Sequence, residues 1–514
     1  MLQRTGHSRQ TRAGGGRRRS LAVALGTGIG ACLISLTGGS ANGAPARDVG
    51  ARSPGAEERS CTMTRTGEYP RARPEQVGLD PVLVRRAVRY WTSTGSETVK
   101  VFRHGCLVQE GGLDKVFDRV PRLNWSQTKT VTALVAGVAE RHGLIDVDDP
   151  IGDYLPAGLG DTVHRSVTLR EVLNMTTGYR MNWLRGLNLV GDMSRVRGIM
   201  AAEQAHAPGS YYEYDQDTPS IVTYVVQRAI WRKLDPDLDF QVWVQREFFD
   251  QLGIPRSAYF WQRDRSGNTL GYSQLFLRPL EFGRFGELML NDGVFQDVRL
   301  IDTDYMDGLT SGAVDRSGGS VNCGYGYLVW LNGCRAGEKQ VNASVFRRHE
   351  ITPARPWIAS APRDMYYSWG LHGQHTFVIP SLDMVVTRSG EVPPDALPGL
   401  MKGDPDAVLA GQLKGGYFTF FRTLMDSVEQ MPADVDIAQP TGPYRWTRSI
   451  DFDVDAFILP VDAPLGSYLG IGRQAPIGCT LLACRDEPND GLKWVLDVPR
   501  VVPGILGLDR RPNG

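Results

Sequence analysis

The segment that begins at Ser126 constrains the fold more than any other part of this sequence, because it places a lysine at the start of an apolar helix. After Ser126-Gln127-Thr128-Lys129, apolar residues recur at helical spacing until His142-Gly143 supplies a helix stop; they are Val131, Leu134, Val135 and Val138. The pattern predicts a helix with one buried face. Residues three apart share a helix face, so the Lys129 amine can reach the Ser126 hydroxyl.

Ser126 and Lys129 are the residue types of a nucleophile and its base. Lysine can act as a base if burial lowers its pKa from about 10.4 by roughly three units, whereas arginine stays charged. The chain has eight lysines among 57 basic residues, and no other lysine has a serine three residues upstream. The competing interpretation of an isolated Ser-x-x-Lys is a solvated helix start, so the wider sequence must decide.

The remaining pattern predicts an α+β domain with an antiparallel sheet flanked by helices. Two β-like runs around Arg103-His104-Gly105 predict a hairpin, and further strands and helices follow along the chain. Strands at both ends of the region with helices between them favour one sheet. The predicted strands are 98–102, 106–109, 325–331 and 376–387, and the predicted helices after Ser126 include 221–249 and 280–290.

The N-terminus has the composition of a secretory signal, predicted here as residues 1–46. Six arginines and no acidic residue precede an apolar run from Leu21 to Leu36, and Ala44-Pro45-Ala46 offers a cleavage site. A membrane anchor is the alternative, but sixteen residues with three glycines are short for a bilayer. We therefore expect a secreted or periplasmic protein without stable membrane insertion after signal removal. Residues 47–70, rich in Arg, Pro, Gly and Ser, predict a linker.

At 514 residues the chain exceeds one typical core, which favours a large domain with a smaller module. We assign 71–432 to the large domain and 433–514, with short β-like runs broken by Pro and Gly, to a small C-terminal β-rich module. The formal net charge is +0 and the basic residues are scattered, which argues against nucleic acid as a partner. The sequence leaves the oligomeric state open.

Six cysteines remain beyond the predicted signal, and an even number in an exported chain favours disulfides. Six cysteines allow 15 connectivities, but short loops favour Cys323 with Cys334 and Cys479 with Cys484, leaving Cys61 with Cys106. Zinc is the alternative, which no Cys-x-x-Cys or clustered His supports. The prediction is three disulfides, no metal and no cofactor.

Several motifs from 123 to 374 together resemble the serine β-lactamase and penicillin-binding-protein superfamily, in particular its class C type serine hydrolases. These motifs are Ser126-Gln127-Thr128-Lys129-Thr130, 143–150, Asp153-Tyr154-Leu155-Pro156, 167–173 with Thr176-Thr177-Gly178, Glu213-Tyr214-Asp215-Gln216, Gly324-Tyr325-Gly326-Tyr327 and Gly370-Leu371-His372-Gly373-Gln374. The likeness spans about 75–430. Within this superfamily, the sequence is most similar to 6-aminohexanoate-oligomer (nylon oligomer) hydrolases and class C type carboxylesterases.

This resemblance implies catalytic roles for Ser126, Lys129 and Tyr214, and an oxyanion hole formed by the N–H groups of Ser126 and Leu371. The residues it suggests for substrate binding are Gln216, Ser368, Trp369, Gly370 and His372. The sequence departs from the family at two of its motifs. Gln216 replaces the Asn of a Tyr-x-Asn motif, and Ser368-Trp369-Gly370 stands where the family has Lys-Thr-Gly.

The resulting hypothesis is an exported serine hydrolase that forms an acyl-enzyme on Ser126 and cleaves small ester or amide substrates. Without the motif lysine that holds a substrate carboxylate, an esterase or amidase is favoured over a β-lactamase. A cell-wall D-amino-acid peptidase is an alternative. A third possibility, from another class, is a non-catalytic penicillin-binding-like protein that only holds a ligand.

Overall fold

A computed structural model describes residues 59–65, 67–180, 195–264, 266–343, 348–350, 352–390 and 416–438. The predicted secretory signal, most of the predicted C-terminal module, Cys479 and Cys484 lie outside these residues. Within the described part of the chain, no helix is both long and apolar enough to cross a bilayer.

The α-helices vary from single turns to four turns. They are α1 (Pro81–Thr92), α2 (Asp114–Phe117), α3 (Gln127–Arg141), α4 (Thr162–Arg165), α5 (Leu169–Leu173), α6 (Arg195–Met200), α7 (Pro219–Lys233), α8 (Phe240–Val244), α9 (Asp250–Leu252), α10 (Phe282–Leu290), α11 (Thr303–Thr310) and α12 (Phe418–Met425). A π-helical turn, Gln245–Phe249, joins α8 to α9. Short 3₁₀ turns are at Pro74–Val77, Ile151–Asp153, Arg256–Ala258, Pro279–Glu281, Leu371–Gly373 and Pro380–Leu382.

The strands are mostly short. They are β1 (Ser96–Arg103), β2 (Cys106–Glu110), β3 (Arg122–Leu123), β4 (Tyr259–Trp261), β5 (Leu275–Leu277), β6 (Val294–Phe295), β7 (Val298–Arg299), β8 (Ala313–Val314), β9 (Ser320–Asn322), β10 (Trp330–Leu331), β11 (Val341–Ala343), β12 (Arg348–Glu350), β13 (Tyr366–Gly370), β14 (Gln374–Ile379) and β15 (Met384–Gly390).

One antiparallel sheet of six strands, in the order β10-β13-β14-β15-β1-β2, organises the domain. The early hairpin β1–β2 pairs with the late strand β15, with Val101 opposite Val386, so strands far apart in sequence close one sheet. Helices α1 and α12 cover one face, where Trp91 stacks on Phe420. Helix α10 packs on β14 and β15 on the other face, and α3 lies against β13. The α+β class predicted from the sequence is therefore confirmed.

The helix predicted after Ser126 is present, but all its residues from Gln127 to Ala139 are buried and not one face only. Predictions farther along the chain are less exact. The hairpin and the helices starting at Gln127 and Phe282 are present. The single helix predicted over 221–249 is wrong, because α7 ends at Lys233 and Asp239 caps a separate α8 with its side chain. The strand predicted over 325–331 is only Trp330–Leu331. The run 376–387 is two strands joined by a turn.

The structure contains the disulfide Cys323–Cys334, which the short loop favours, and Cys61–Cys106, the pair that this choice leaves. Cys323, Cys334 and Glu338 lie close enough to share an ion, but the disulfide leaves no thiolate to bind one. The first disulfide ties residues 59–65 to β2, and the Cys61 N–H donates to the His104 carbonyl at 2.8 Å. A linker ending before Arg59 fits these contacts better, although the domain boundaries stay predictions.

Candidate active site

Ser126 lies at the N-terminal end of α3, and a tight turn connects it to β3. The turn is fixed on both sides: the Asn124 N–H donates to the Leu275 carbonyl at 2.8 Å, and the Gln127 N–H donates to the Asn124 carbonyl at 3.1 Å. Between them Trp125 has a φ of 48°. A non-glycine residue there costs about 1–2 kcal/mol, and such strain is found where surrounding structure over-determines a functional turn.

Lys129 lies one turn into α3 and its side chain is buried. Its Nζ is 3.1 Å from Ser126 Oγ, 2.9 Å from Gln216 Oε1 and 3.2 Å from the carbonyl oxygen of Tyr272. The last two are pure acceptors. A neutral amine can donate its two N–H groups to them, which directs its lone pair at the Ser126 hydroxyl. The geometry is that of a base aimed at a nucleophile.

Burial lowers the pKa of Lys129 to about 7, although the nearby carboxylates of Asp215 and Asp217 act to raise it. Because the charged form of a buried amine loses its hydration, the neutral form gains population near neutral pH. Relative to the same amine in water, a lowering of this size shifts the balance toward the neutral form by about 5 kcal/mol. The lowered pKa that a lysine base requires is thus provided by the buried surroundings of Lys129 on α3.

Tyr214 lies on the other side of Ser126. Burial raises its pKa above the ordinary value, and a hydrogen bond with the Ser126 side chain opposes that rise. The Lys129 Nζ is 4.8 Å from the centre of the Tyr214 ring. Ser126 therefore contacts both an amine and a phenol, which is sufficient to take its proton and return it to a leaving group.

We expect Tyr214→Phe to lower kcat by roughly 10²- to 10⁴-fold, the range for a positioned proton-transfer group, with little change in KM. Steady-state kinetics on a p-nitrophenyl ester measures this. Tyr212→Phe is the matched control, because Tyr212 is buried two residues away. If Tyr212→Phe loses activity and Tyr214→Phe stays within a few-fold of wild type, the motif has been placed two residues too late.

The turn that leads to Ser126 lies against the end of the strand that leads to Leu371. A Cβ on Gly370 would overlap the Asn124 carbonyl oxygen, and the rings of Trp125 and His372 are 5.3 Å apart. Neither the Ser126 N–H nor the Leu371 N–H donates to a backbone carbonyl in the turns, loops and caps of the described residues. Two such donors on adjacent backbones support the oxyanion hole predicted from the sequence.

The other predicted substrate residues fall in different surroundings. Gln216 holds Lys129, and the partly exposed Trp369 and His372 border the turn that carries Leu371. Ser368 is 1% exposed and its Oγ accepts the Thr376 N–H at 2.8 Å within the sheet. The structure argues against substrate contact for Ser368, because its hydroxyl is buried and already bonded.

His375, also close to this strand, has a structural role. Its Nδ1 is 3.0 Å from the Ser368 carbonyl oxygen, and its Nε2 hydrogen-bonds the Tyr417 hydroxyl. Burial, with the nearby Arg388, lowers its pKa to about 3, so it stays neutral.

An aromatic surface that sequence reasoning missed extends from Tyr214. Trp330 on the edge strand β10 is 5.5 Å from Tyr214 and 5.6 Å from Trp369, measured between ring centres. Trp357 is 5.7 Å from Trp330 on its other side. No motif marks Trp330 or Trp357, and Trp330 reaches the site through the pairing of β10 with β13.

Two arginines that could replace the missing lysine of the Lys-Thr-Gly motif are bound elsewhere. Arg388 is 1% exposed and donates to the carbonyls of His372 and Gly373 at 3.3 and 2.7 Å. Arg363 donates to the Cys334 carbonyl at 2.6 Å and pairs with Asp436. Arg363 also borders a cavity of about 450 Å³, which none of the predicted site residues lines.

Comparison with known proteins supports the same fold. Residues 121–387, more than half of the chain, match the family described as Beta-lactamase. No curated protein matches this sequence significantly.

Three solved structures are similar to this chain at low sequence identity. A Bacillus anthracis protein provisionally described as a 6-aminohexanoate-dimer hydrolase is 13% identical with a TM-score of 0.49, covering 69% of this chain and 90% of its own. A penicillin-binding-protein homologue from Caulobacter crescentus is 14% identical with a TM-score of 0.43, covering 67% and 97%. A β-lactamase/D-alanine carboxypeptidase from Pseudomonas syringae is 16% identical with a TM-score of 0.41, covering 65% and 98%.

Proposed function

We propose, from the premise that this chain belongs to the Beta-lactamase family, that it is a serine hydrolase acting through an acyl-enzyme on Ser126. The observation that carries the proposal is the contact of 3.1 Å between Lys129 Nζ and Ser126 Oγ. Lys129 is buried while Ser126 is half-buried, and burial lowers the pKa of the amine to about 7. A serine beside a base that is largely neutral near pH 7 to 8 is the arrangement that acyl transfer requires.

In this mechanism Ser126 Oγ attacks the carbonyl carbon of the substrate while its proton passes to Lys129. The carbonyl oxygen becomes an oxyanion beside the N–H groups of Ser126 and Leu371. Collapse of this intermediate breaks the bond to the alcohol or amine, which receives a proton through Tyr214. Water then attacks the acyl-enzyme by the same route in reverse, releasing the acid and restoring Ser126.

The proposed substrates are small and uncharged, with an apolar group next to the scissile ester or amide. The rings of Tyr214, Trp330 and Trp369 form an apolar wall beside the nucleophile, suited to a hydrocarbon or aromatic group. Arg363 and Arg388, which could have held a carboxylate, bind backbone carbonyls instead. These contacts favour an esterase or amidase over a β-lactamase.

Export is part of the proposal. The arginine-rich start followed by an apolar run is typical of a secretory signal, and two disulfides fit an oxidising compartment. We propose that the enzyme acts outside the cytoplasm.

The test compares kcat/KM for p-nitrophenyl butyrate and for nitrocefin. We expect the ester to be preferred by about 100-fold, because a hydrogen bond to a charged group, here absent for the β-lactam carboxylate, is worth about 1.5–3 kcal/mol. A matched ester pair, p-nitrophenyl hemisuccinate and its methyl ester, isolates the carboxylate, and the neutral methyl ester should be the better substrate.

Other outcomes assign the alternatives. Comparable efficiency on nitrocefin and butyrate would contradict the esterase proposal and support a β-lactamase. Turnover confined to D-alanyl dipeptides would support a peptidase. A wild-type protein that neither turns over any of these substrates nor is labelled by a fluorophosphonate would be a non-catalytic binding protein.

A further inference from the structure

A buried ion pair lies directly behind Lys129. Arg195, at the start of α6, donates from Nη1 to Asp217 Oδ1 at 2.8 Å and from Nη2 to the Tyr272 hydroxyl at 3.0 Å. Arg195, Asp217 and Tyr272 are each at most 2% exposed. The Tyr272 carbonyl accepts from Lys129, so one residue contacts both the ion pair and the amine.

The charges around Lys129 oppose its neutral form. Asp215 and Asp217 lie in the segment that leads into α7, and both act to raise the pKa of Lys129. The Asp217 N–H also donates to Asp215 Oδ1 at 2.6 Å, which fixes the Asp215 carboxylate against the backbone of Asp217. The elements packed around the amine carry further titratable groups. These are Tyr214, Asp215 and Asp217 before α7, Asp264 and Tyr272 before β5, Arg195 on α6, and Tyr305 on α11. The Tyr305 hydroxyl donates to the Ala133 carbonyl of α3.

We propose that Arg195 is a positioning residue that keeps Lys129 in its neutral, basic form by pairing with Asp217. The inference rests on the proposed function, in which Lys129 is the base. Arginine suits this role because its charge persists at any pH at which the enzyme works. Its forked guanidinium also binds Asp217 and Tyr272 together, so the countercharge and the acceptor of the Lys129 amine are fixed by one side chain.

The proposal concerns the acid limb of the pH profile of kcat/KM, where activity rises as Lys129 loses its proton. It predicts that two single variants move the midpoint of this limb in opposite directions. Arg195→Gln removes a positive charge beside Asp217, so Lys129 holds its proton longer and the limb moves up by about one pH unit. Asp217→Asn removes the anion and moves the limb down by about one unit. The double variant Arg195→Gln/Asp217→Asn removes both charges and returns the limb to near its wild-type position. Arg197→Gln, on the exposed side of α6, is the matched control and leaves the limb in place.

The rescue by the double variant separates this role from a purely structural one. If Arg195 only supports packing, the variants lose kcat without moving the limb, and the double variant is worse than either single one. If Arg195→Gln does not fold, because it breaks a buried ion pair, Asp217→Asn and the double variant still decide. A limb that stays in place in Asp217→Asn overturns the inference.

Failure of the proposed function gives a different result. In that case wild-type turnover would be absent or would persist in Ser126→Ala, and the inference falls with it. Turnover that needs Ser126 and Lys129 but has an acid limb indifferent to Arg195 and Asp217 overturns the inference alone.

Discussion

Ser126→Ala should lower ester turnover by at least about 10⁴-fold and abolish covalent labelling by a fluorophosphonate. Without the hydroxyl no acyl-enzyme can form, and only binding and the oxyanion donors are left to act on water. Release of p-nitrophenol and mass spectrometry of the labelled protein measure the two effects.

Thermal unfolding should show that Ser126→Ala keeps its fold, since the backbone of the turn is held by Asn124 and Gln127. Ser166→Ala, at an exposed serine, is the matched control and should behave as wild type. Near-wild-type turnover in Ser126→Ala would exclude Ser126 as the nucleophile.

Lys129→Arg should be nearly as damaging, with a loss of at least about 10³-fold in kcat/KM. The substitution keeps a long cationic side chain but removes the ability to accept a proton at neutral pH. In the wild type the neutral amine is the active form. Because burial lowers its pKa to about 7, kcat/KM should rise as the pH rises through 7 and level off above it.

The pH profile of the wild type and single-point kinetics of the variant measure these expectations. Lys233→Arg is the control, because Lys233 is exposed on α7 and its Nζ donates to the Gly143 carbonyl. Activity in Lys129→Arg within ten-fold of wild type would mean that another group takes the Ser126 proton.

The sequence predicts the part of the site that lies on one element or in one motif. Ser126 and Lys129 are three residues apart on a helix, so their contact follows from helical geometry alone. The role of Tyr214 was predicted from the family resemblance, because Tyr214 lies far from Ser126 in the chain and no spacing relates the two. The α+β class was predictable because the strands at both ends of the domain are apolar and the helices lie between them.

The contacts that tune the site could not be predicted. Tyr272 acts on Lys129 through a backbone carbonyl, which every residue type has, so no spacing marks it. Arg195 is one of many arginines, and only the packing of α6 against α7 brings it to Asp217. The hydrogen bond of Ser368 to the neighbouring strand could not be predicted for a related reason, because it depends on the register in which the two strands pair.

The turn before α3 has a consequence for where this protein can be produced. Asn124-Trp125-Ser126 has the Asn-x-Ser pattern that oligosaccharyltransferases modify in a nascent chain. In the folded protein Asn124 is 0% exposed and its carbonyl lies against Gly370, so a sugar attached there has no space. A eukaryotic secretory host, which glycosylates chains before they fold, would therefore trap the chain outside its native structure. A bacterial host without that machinery, or cytoplasmic expression in a strain that permits disulfides, avoids the modification.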